Sequence, residues 1–200
     1  MKQRGFTLIE LMVAITVLAL ILFASLPSIG TWLDTTRVRN AADSLQNGLQ
    51  AARGEAVRRN QSMSFWLVAL ADPGVLSNDC TLSSASASWV VSVNSPIVHC
   101  ADEPSTTSSP MLVTGRAIGG GRPVTVSAVK SDGTSAANRV TFDGFGRITN
   151  DDAISRIKLS GSSSDTRVLR IEISSAGAVR LCDLSVSDSN DPRKCLLPTP

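Results

Sequence analysis

The first pattern along the chain is an apolar run that covers nearly all of residues 6–26. Between Phe6 and Leu26 the only charged side chain is that of Glu10. A helix of about 21 residues, at 1.5 Å of rise per residue, spans roughly the 30 Å hydrocarbon core of a bilayer. The pattern therefore predicts a transmembrane helix over residues 6–26.

Charged residues indicate the orientation of this helix and the kind of segment it is. Lys2 and Arg4 precede the run, so the positive-inside rule predicts a cytoplasmic N-terminus and an extracytoplasmic remainder. A cleaved signal peptide would have a shorter apolar core, of about 7–15 residues, and a small-residue cleavage site. A plain membrane anchor would leave Glu10 unexplained, because a charge at the bilayer centre costs about 2.5–3.5 kcal/mol.

Beyond the apolar run, apolar residues recur every three or four positions, which predicts an amphipathic continuation of the helix over residues 27–60. Pro27 is expected to kink or interrupt this helix, and Trp32 falls where an interfacial aromatic residue is expected. Gly48 and Gly54 each cost roughly 1 kcal/mol relative to alanine, so they either allow close packing or permit local melting. The apolar stripe consists of Val38, Ala41, Leu45, Leu49, Ala52 and Ala56.

After residue 61 the period changes to that of β-strands separated by Ser-rich and Pro-rich loops. A helix followed by antiparallel strands is an α+β arrangement, with residues 61–200 as one β-rich domain. Seven strands are predicted, at Met63–Leu70, Trp89–Val93, Val124–Val129, Arg139–Phe142, Ile154–Leu159, Val168–Ile173 and Ala178–Cys182. Turns are predicted at Asp143–Gly146 and at Ser175–Gly177.

Four cysteines, Cys80, Cys100, Cys182 and Cys195, follow the membrane segment, where the predicted topology places them in an oxidising compartment. Three pairings are possible. We favour Cys80 with Cys100 and Cys182 with Cys195, because each pair brackets a short, loop-rich segment. The second bridge would close a loop of about 14 residues, worth up to about 3 kcal/mol in the chain-entropy model.

The remaining candidate chemistry is sparse, and we expect no enzyme, no metal and no cofactor. A zinc site would need C-x-x-C spacing or further histidines, whereas His99 is the only histidine. The sequence contains neither G-x-S-x-G nor H-E-x-x-H. Gly119–Arg122 lacks the Walker spacing and its lysine, so a loop is the better interpretation than a phosphate cradle.

The N-terminal residues G-F-T-L-I-E, followed by L-M-V-A-I-T-V-L, resemble the class III leader of type IV pilins and type II secretion pseudopilins. In that family a prepilin peptidase cuts after the glycine and methylates the new N-terminal residue. The resemblance places these events at Gly5 and Phe6, with a leader at residues 1–5. The family's glutamate at the fifth mature position corresponds to Glu10 and pairs with a neighbouring subunit's terminal amine. Such a pair would lower the cost of burying the Glu10 carboxylate.

A second resemblance narrows the family to minor pilins and pseudopilins of the GspH and FimT type. That subfamily carries an A-R-x-E-A-x-x-R-N pattern before its first strand, an F-x-x-x-G-R turn and a G-R-x-R-x-C ending. The first pattern is present as Ala52, Arg53, Glu55, Ala56, Arg59 and Asn60. The resemblance implies the type IV pilin-like fold, a long N-terminal helix packed on an antiparallel sheet domain.

The resemblance also implies a function and its partners. We expect a FimT-like minor pilin, processed by prepilin peptidase, that joins a type IV pilus and supports its initiation or tip. Its partners would be other pilins, the peptidase and the inner-membrane assembly platform. The precursor would be a single-pass inner-membrane protein with a periplasmic domain. Two alternatives stay open: a GspH-like minor pseudopilin of type II secretion, and a DNA-binding minor pilin of natural transformation.

The candidate DNA contacts are Arg180, Arg193 and Lys194. In FimT-like pilins of competent bacteria, arginines of the G-R-x-R motif are implicated in DNA uptake, but here Ala178 replaces the first arginine. The segment between Cys182 and Cys195 also carries three aspartates, Asp183, Asp188 and Asp191. Three phosphate contacts would give a salt slope of about 0.9 each, which predicts weak, non-specific association.

Overall fold

The computed structural model describes residues 7–119, 124–163 and 165–197, and of residues 23–29 it describes the backbone alone. Residues 1–6 and most of the predicted Gly119–Arg122 loop lie outside these ranges. Within them the chain forms one helix and nine strands: α1 (Leu8–Arg59), β1 (Met63–Leu70), β2 (Cys80–Leu82), β3 (Trp89–Ser92), β4 (Leu112–Arg116), β5 (Thr125–Val129), β6 (Arg139–Phe142), β7 (Arg156–Ser160), β8 (Leu169–Ile173) and β9 (Val179–Asp183).

Both ends of α1 are capped by local hydrogen bonds. The Thr7 hydroxyl accepts a hydrogen bond from the Glu10 N–H at 3.3 Å, which satisfies one of the free donors of the first turn. At the other end Asn60 adopts the left-handed conformation, with φ of 49°, as asparagine tolerates at helix C-termini. The helix is continuous through Pro27, so an interruption there is wrong: proline removes only its own N–H donor, and the flanking residues keep theirs.

The second half of α1 is the centre of the hydrophobic core. Its predicted stripe is confirmed, because all six side chains are at most 1% exposed: Val38, Ala41, Leu45, Leu49, Ala52 and Ala56. Their spacing of three and four residues places them on one face of the helix, and this face packs against strands of both sheets. Burial of this face joins the helix to the domain.

Gly48 and Gly54 differ in their surroundings. A Cβ added to Gly48 would lie 2.7 Å from a ring carbon of Trp89 and 2.8 Å from one of Phe65. The Trp89 indole N–H donates to the Ser44 hydroxyl at 3.1 Å, which fixes the ring over the helix. Around Gly54, apart from the backbone of α1 itself, no atom of the described residues lies within 4 Å of an added Cβ. The packing explanation therefore holds for Gly48 and not for Gly54.

This difference gives a matched pair of alanine variants. We expect Gly48→Ala to destabilise the domain by about 1–3 kcal/mol, because the methyl group overpacks the aromatic pair. Gly54→Ala should stabilise it by up to about 1 kcal/mol through helix propensity. Thermal unfolding of the full chain in detergent measures both. Shifts of the same sign for the two variants would contradict the packing account.

The first sheet has five strands and is organised around β1. One edge of β1 pairs with β6 along its first half and with β2 along its second half, while its other edge pairs with β3, which pairs with β4. All pairings are antiparallel. The apolar side chains of β1 that contribute to the main core are Met63, Phe65 and Leu67, at alternate positions.

The second sheet has the strand order β5-β7-β8-β9 and is also antiparallel. In β7 and β8 apolar residues alternate with charged ones, and Ile157, Leu159 and Ile171 lie in the core with α1. Arg170 and Glu172 of β8 lie on the opposite face. The predicted α+β class is confirmed, with the antiparallel strands divided over two sheets that both contact α1.

Two strands, β2 and β4, were not predicted from the sequence. The predicted turn at Asp143–Gly146 forms, but the segment after it makes only a single bridge, between Phe142 and Ile148, before the chain returns to the second sheet in β7. The turn at Ser175–Gly177 joins β8 to β9 as predicted. There Gly177 has φ of 79°, a conformation that glycine adopts without steric cost.

Candidate functional site

The first half of α1 has an apolar surface that no other part of the described chain covers. Every large apolar side chain from Leu8 to Leu22 is exposed, from 49% at Val17 to 73% at Leu8. Continuous apolar surface of this extent is uncommon on monomeric proteins in water and marks a surface that binds lipid or other polypeptide. Because α1 is one helix, its continuous backbone connects this surface to the stripe buried in the domain.

Glu10 is an exposed side chain within this apolar surface, in the first turn of α1. Gly5 and Phe6, the predicted cleavage and methylation site, lie outside the described residues, so the pairing of Glu10 with a terminal amine stays a prediction. The only other polar side chain of the segment from Leu8 to Leu22, Thr16, donates its hydroxyl to the Val13 carbonyl at 2.9 Å.

Among the described residues, no helix combines the length and the apolar character needed to cross a membrane. Phe6 and the side chains of residues 23–29 lie outside that set. The predicted span to Leu26 therefore stays a prediction.

The C-terminal loop after β9 is held by a disulfide and by Arg180. Cys182 and Cys195 are bonded. The Arg180 guanidinium donates to the carbonyls of Pro192 and Lys194, both at 2.6 Å. Arg180 therefore ties the end of the loop to the sheet, so part of its hydrogen-bonding capacity is already used within the chain.

The other two candidate DNA contacts also bind within the loop. Arg193 makes a two-pronged contact with the Asp191 carboxylate, at 3.1 and 2.7 Å. These side-chain bonds, followed by the backbone N–H of Arg193, lower the pKa of Asp191 to about 2. The Lys194 ammonium donates to the Ser187 carbonyl at 2.9 Å. The structure thus brings Arg180 of β9 together with Arg193 and Lys194 of the loop, and each has an intramolecular partner.

A buried ion pair beneath this loop was missed from the sequence. Arg170 and Glu172 of β8 are in contact at 2.6 Å, with side chains only 3% and 7% exposed. The Glu172 carboxylate also accepts hydrogen bonds from the backbone N–H groups of Leu196 and Leu197, at 3.1 and 3.0 Å, and Arg170 donates to the Leu197 carbonyl. This set, Arg170, Glu172 and the backbone of residues 196–197, is called the tail clamp below.

The sequence signal for the tail clamp is the alternation R-I-E in a strand, which places both charges on one face. The sequence gives no sign that a later segment covers that face.

Among the described residues, Glu172, Cys182 and Cys195 form a group of potential metal ligands within 4.8 Å of one another. The two sulfurs are joined in a disulfide and offer no thiolate, so this group does not form a metal site.

The first disulfide, Cys80–Cys100, lies at the edge of the first sheet. His99 is exposed in the adjoining loop and contacts the Asp102 carboxylate at 2.8 Å. Both predicted disulfides are thus present.

These contacts predict weak DNA binding by the C-terminal loop. In a gel-shift titration with duplex DNA at low and moderate salt, we expect no discrete complex at moderate salt. Arg193→Ala, which frees Asp191, should weaken any low-salt binding by no more than a few-fold, since one phosphate contact carries a salt slope of about 0.9. A stable complex at moderate salt that Arg193→Ala and Lys194→Ala abolish would contradict this expectation.

An exposed apolar half-helix continuous with a half-helix packed on antiparallel sheets defines a pilin-like subunit. The comparisons with known proteins agree with this class. Residues 41–177, more than half of the chain, match the family described as Type II transport protein GspH. Residues 1–26 match the prokaryotic N-terminal methylation motif. The chain therefore belongs to the GspH family of minor pilins and pseudopilins, whose members are membrane-anchored as precursors and associate with other pilins in a pilus or pseudopilus.

Among solved structures, the chain is similar to the type IV minor pilin FimU of Pseudomonas aeruginosa strain PAO1. One crystal form aligns with a TM-score of 0.49 and 20% identity, covering 77% of this chain and 94% of that one. A second crystal form aligns with a TM-score of 0.42 and 21% identity, covering 76% and 97%. No curated protein gives a significant sequence match.

Proposed function

We propose that this protein is a FimT-like minor pilin that is cut after Gly5, methylated at Phe6 and incorporated into a type IV pilus. The observation that carries this proposal is the exposed apolar helix from Leu8 to Leu22, continuous with the stripe buried in the domain. Such a helix needs a partner for its apolar surface both before and after assembly. The membrane supplies the first and neighbouring pilin helices supply the second.

In this proposal the precursor is a single-pass inner-membrane protein with a periplasmic domain. Extraction from the membrane exchanges lipid contacts for helix contacts. Glu10 pairs with the methylated Phe6 amine of a neighbouring subunit, and this pair determines the register between helices, because an unpaired carboxylate among apolar helices is costly. The protein acts by assembly and not as an enzyme, at the initiation or the tip of the filament.

The second candidate is a minor pseudopilin of type II secretion. The match to the family described as Type II transport protein GspH favours it. The same helix and the same Glu10 would serve a pseudopilus, so the two functions differ in the partners and not in the residues argued above.

Deletion of the gene in its native host separates the two candidates. A type IV minor pilin predicts fewer surface pili and normal secretion of exoproteins, and the wild-type chain should restore the pili. A type II pseudopilin predicts the reverse pattern. Normal piliation together with normal secretion after deletion would contradict both.

A further inference from the structure

The turn at residues 143–147 exposes an aromatic ring at the C-terminal end of α1. Phe145 is 77% exposed, and the turn packs against the last turns of the helix. A Cβ added to Gly144 would lie 2.4 Å from the Asn60 side-chain oxygen, and one added to Gly146 would lie 3.3 Å from a methyl group of Val57. The turn that carries Phe145 therefore lies against Val57, itself 51% exposed.

The turn that carries Phe145 is held in one conformation. The Asp143 carboxylate accepts hydrogen bonds from the N–H groups of Phe145 and Arg147, at 2.9 and 2.8 Å. These bonds lower the pKa of Asp143, with the Arg147 N–H as the main cause. The Gly146 carbonyl accepts from the Arg53 guanidinium at 3.0 Å, and the Arg147 guanidinium lies 5.2 Å from the Phe145 ring centre.

An aromatic side chain held this way loses little freedom on binding. Aromatic and arginine side chains are enriched in protein interfaces, and order established before binding lowers the entropic cost. Inside the domain, by contrast, the described contacts of the turn are made by its backbone and by Asp143 and Arg147. The exposed ring thus contributes little to the fold.

The surroundings of Phe145 carry an excess of positive charge. Residues 53–60 and 143–147, called the distal patch below, contain four cations, Arg53, Arg58, Arg59 and Arg147, and two anions. Glu55 pairs with Arg58 and Arg59, and Asp143 pairs with Arg147, which leaves a net charge of +2. A protein surface with a carboxylate beside an apolar area is complementary to this arrangement. A nucleic acid is less suited, because one face of the Phe145 ring is already covered by Arg147 and the described residues of the distal patch hold no second ring to stack a further base.

The distal patch also lies at the end of α1 opposite the exposed apolar half. Leu22 and Val57 are separated by 35 residues of helix, which is about 50 Å. We propose that the distal patch binds the extracytoplasmic domain of a second pilin-like subunit, whose contact surface carries a carboxylate next to apolar side chains. This proposal rests on the proposed function, since packing of the apolar half-helices places subunit domains side by side along the filament.

The test uses the full chain in its native host, with the photo-crosslinking amino acid p-benzoylphenylalanine at one of three positions. Position 145 probes the distal patch, position 13 probes the apolar half-helix, and position 75, an exposed valine in the loop after β1, is the control. Mass spectrometry then identifies the partners. We expect position 145 to crosslink to another protein that carries the N-terminal methylation motif, position 13 to crosslink to pilin helices, and position 75 to give neither.

A second arm places the crosslinker at Val57 and replaces Phe145. Phe145→Ala should lower the crosslink yield at least tenfold while the thermal midpoint stays unchanged, and Phe145→Tyr should retain most of the yield. Crosslinks from position 13 without any from position 145 would overturn the distal patch and leave the proposed function intact. Crosslinks from neither position would overturn both, and crosslinks from position 145 only to DNA or to proteins without the motif would overturn the distal patch.

Discussion

Glu10→Ala is expected to leave a folded, membrane-associated subunit that scarcely enters the filament. The substitution removes one member of the proposed buried pair with a neighbouring Phe6 amine. Breaking a buried ion pair costs about 3–5 kcal/mol, which corresponds to a loss of about a hundredfold or more in the equilibrium for incorporation. The domain should be unaffected, because residues 7–22 of α1 are exposed and the core begins near Asp34. Immunoblots of sheared filaments and of membranes measure the two pools.

Thr16→Val is the matched control for this experiment. It removes a polar group from the same apolar segment, but the Thr16 hydroxyl donates a hydrogen bond to the Val13 carbonyl of its own helix. It therefore needs no partner from a neighbouring subunit. We expect its incorporation to equal that of the wild type. If Glu10→Ala also enters filaments at the wild-type level, Glu10 has no role in the register between subunits.

Glu172→Ala is expected to give the largest loss of stability among single substitutions on the sheet face that points away from α1. It removes the carboxylate that faces Arg170 and that accepts the N–H groups of Leu196 and Leu197. Because Arg170 and Glu172 are buried, the loss is about 3–5 kcal/mol. For a domain of this size it lowers the thermal midpoint by about 10 °C. Thermal unfolding followed by the near-ultraviolet signal of the tryptophans measures it.

Glu55→Ala provides the comparison with an ion pair near the surface. Glu55 contacts Arg58 and Arg59 at 2.6 and 2.7 Å on the last turns of α1, where Arg58 is 66% exposed. Pairs of this kind contribute about 0–1 kcal/mol. A loss for Glu172→Ala no larger than that for Glu55→Ala would show that the tail clamp does not stabilise the domain.

The helix and the longer strands could be predicted because their signals are local. The stripe from Val38 to Ala56 has helical spacing, and β1 and β6 have the bounds that their apolar patterns predict. The missed strands lack such a signal. β2 has three residues, and β4 contains Gly115, which strand propensity disfavours. β2 pairs with the longer β1 and β4 with the four-residue β3, and tertiary packing determines both pairings.

The division into two sheets depends on contacts between distant residues. Ser64 of β1 and Thr141 of β6 are direct partners, with their hydroxyl groups 2.9 Å apart across a separation of 77 residues. No short-range pattern predicts that pairing. The sequence predicts strands at both places and leaves their order open.

The candidate sites divide in the same way. Glu10 stands out in sequence because a carboxylate in an apolar run has no local explanation. The sequence indicates a cationic group of candidate DNA contacts at Arg180, Arg193 and Lys194. Only the structure shows that each donates a hydrogen bond to an oxygen of the loop itself. Arg53 is part of the A-R-x-E-A-x-x-R-N pattern, and only the structure shows that it donates to the Gly146 carbonyl and so supports the distal patch. The hydrogen-bond partners of charged side chains, near or distant in the chain, are therefore the part that sequence reasoning misses.

The central claim is that this chain enters a filament as a processed pilin-like subunit. The most direct test is the mass of its N-terminal peptide, isolated from sheared and washed filaments of the native host. The account predicts a peptide that begins at Phe6 and is heavier by one methyl group. Recovery of the chain only from membranes, or recovery from filaments with residues 1–5 still attached, would contradict it.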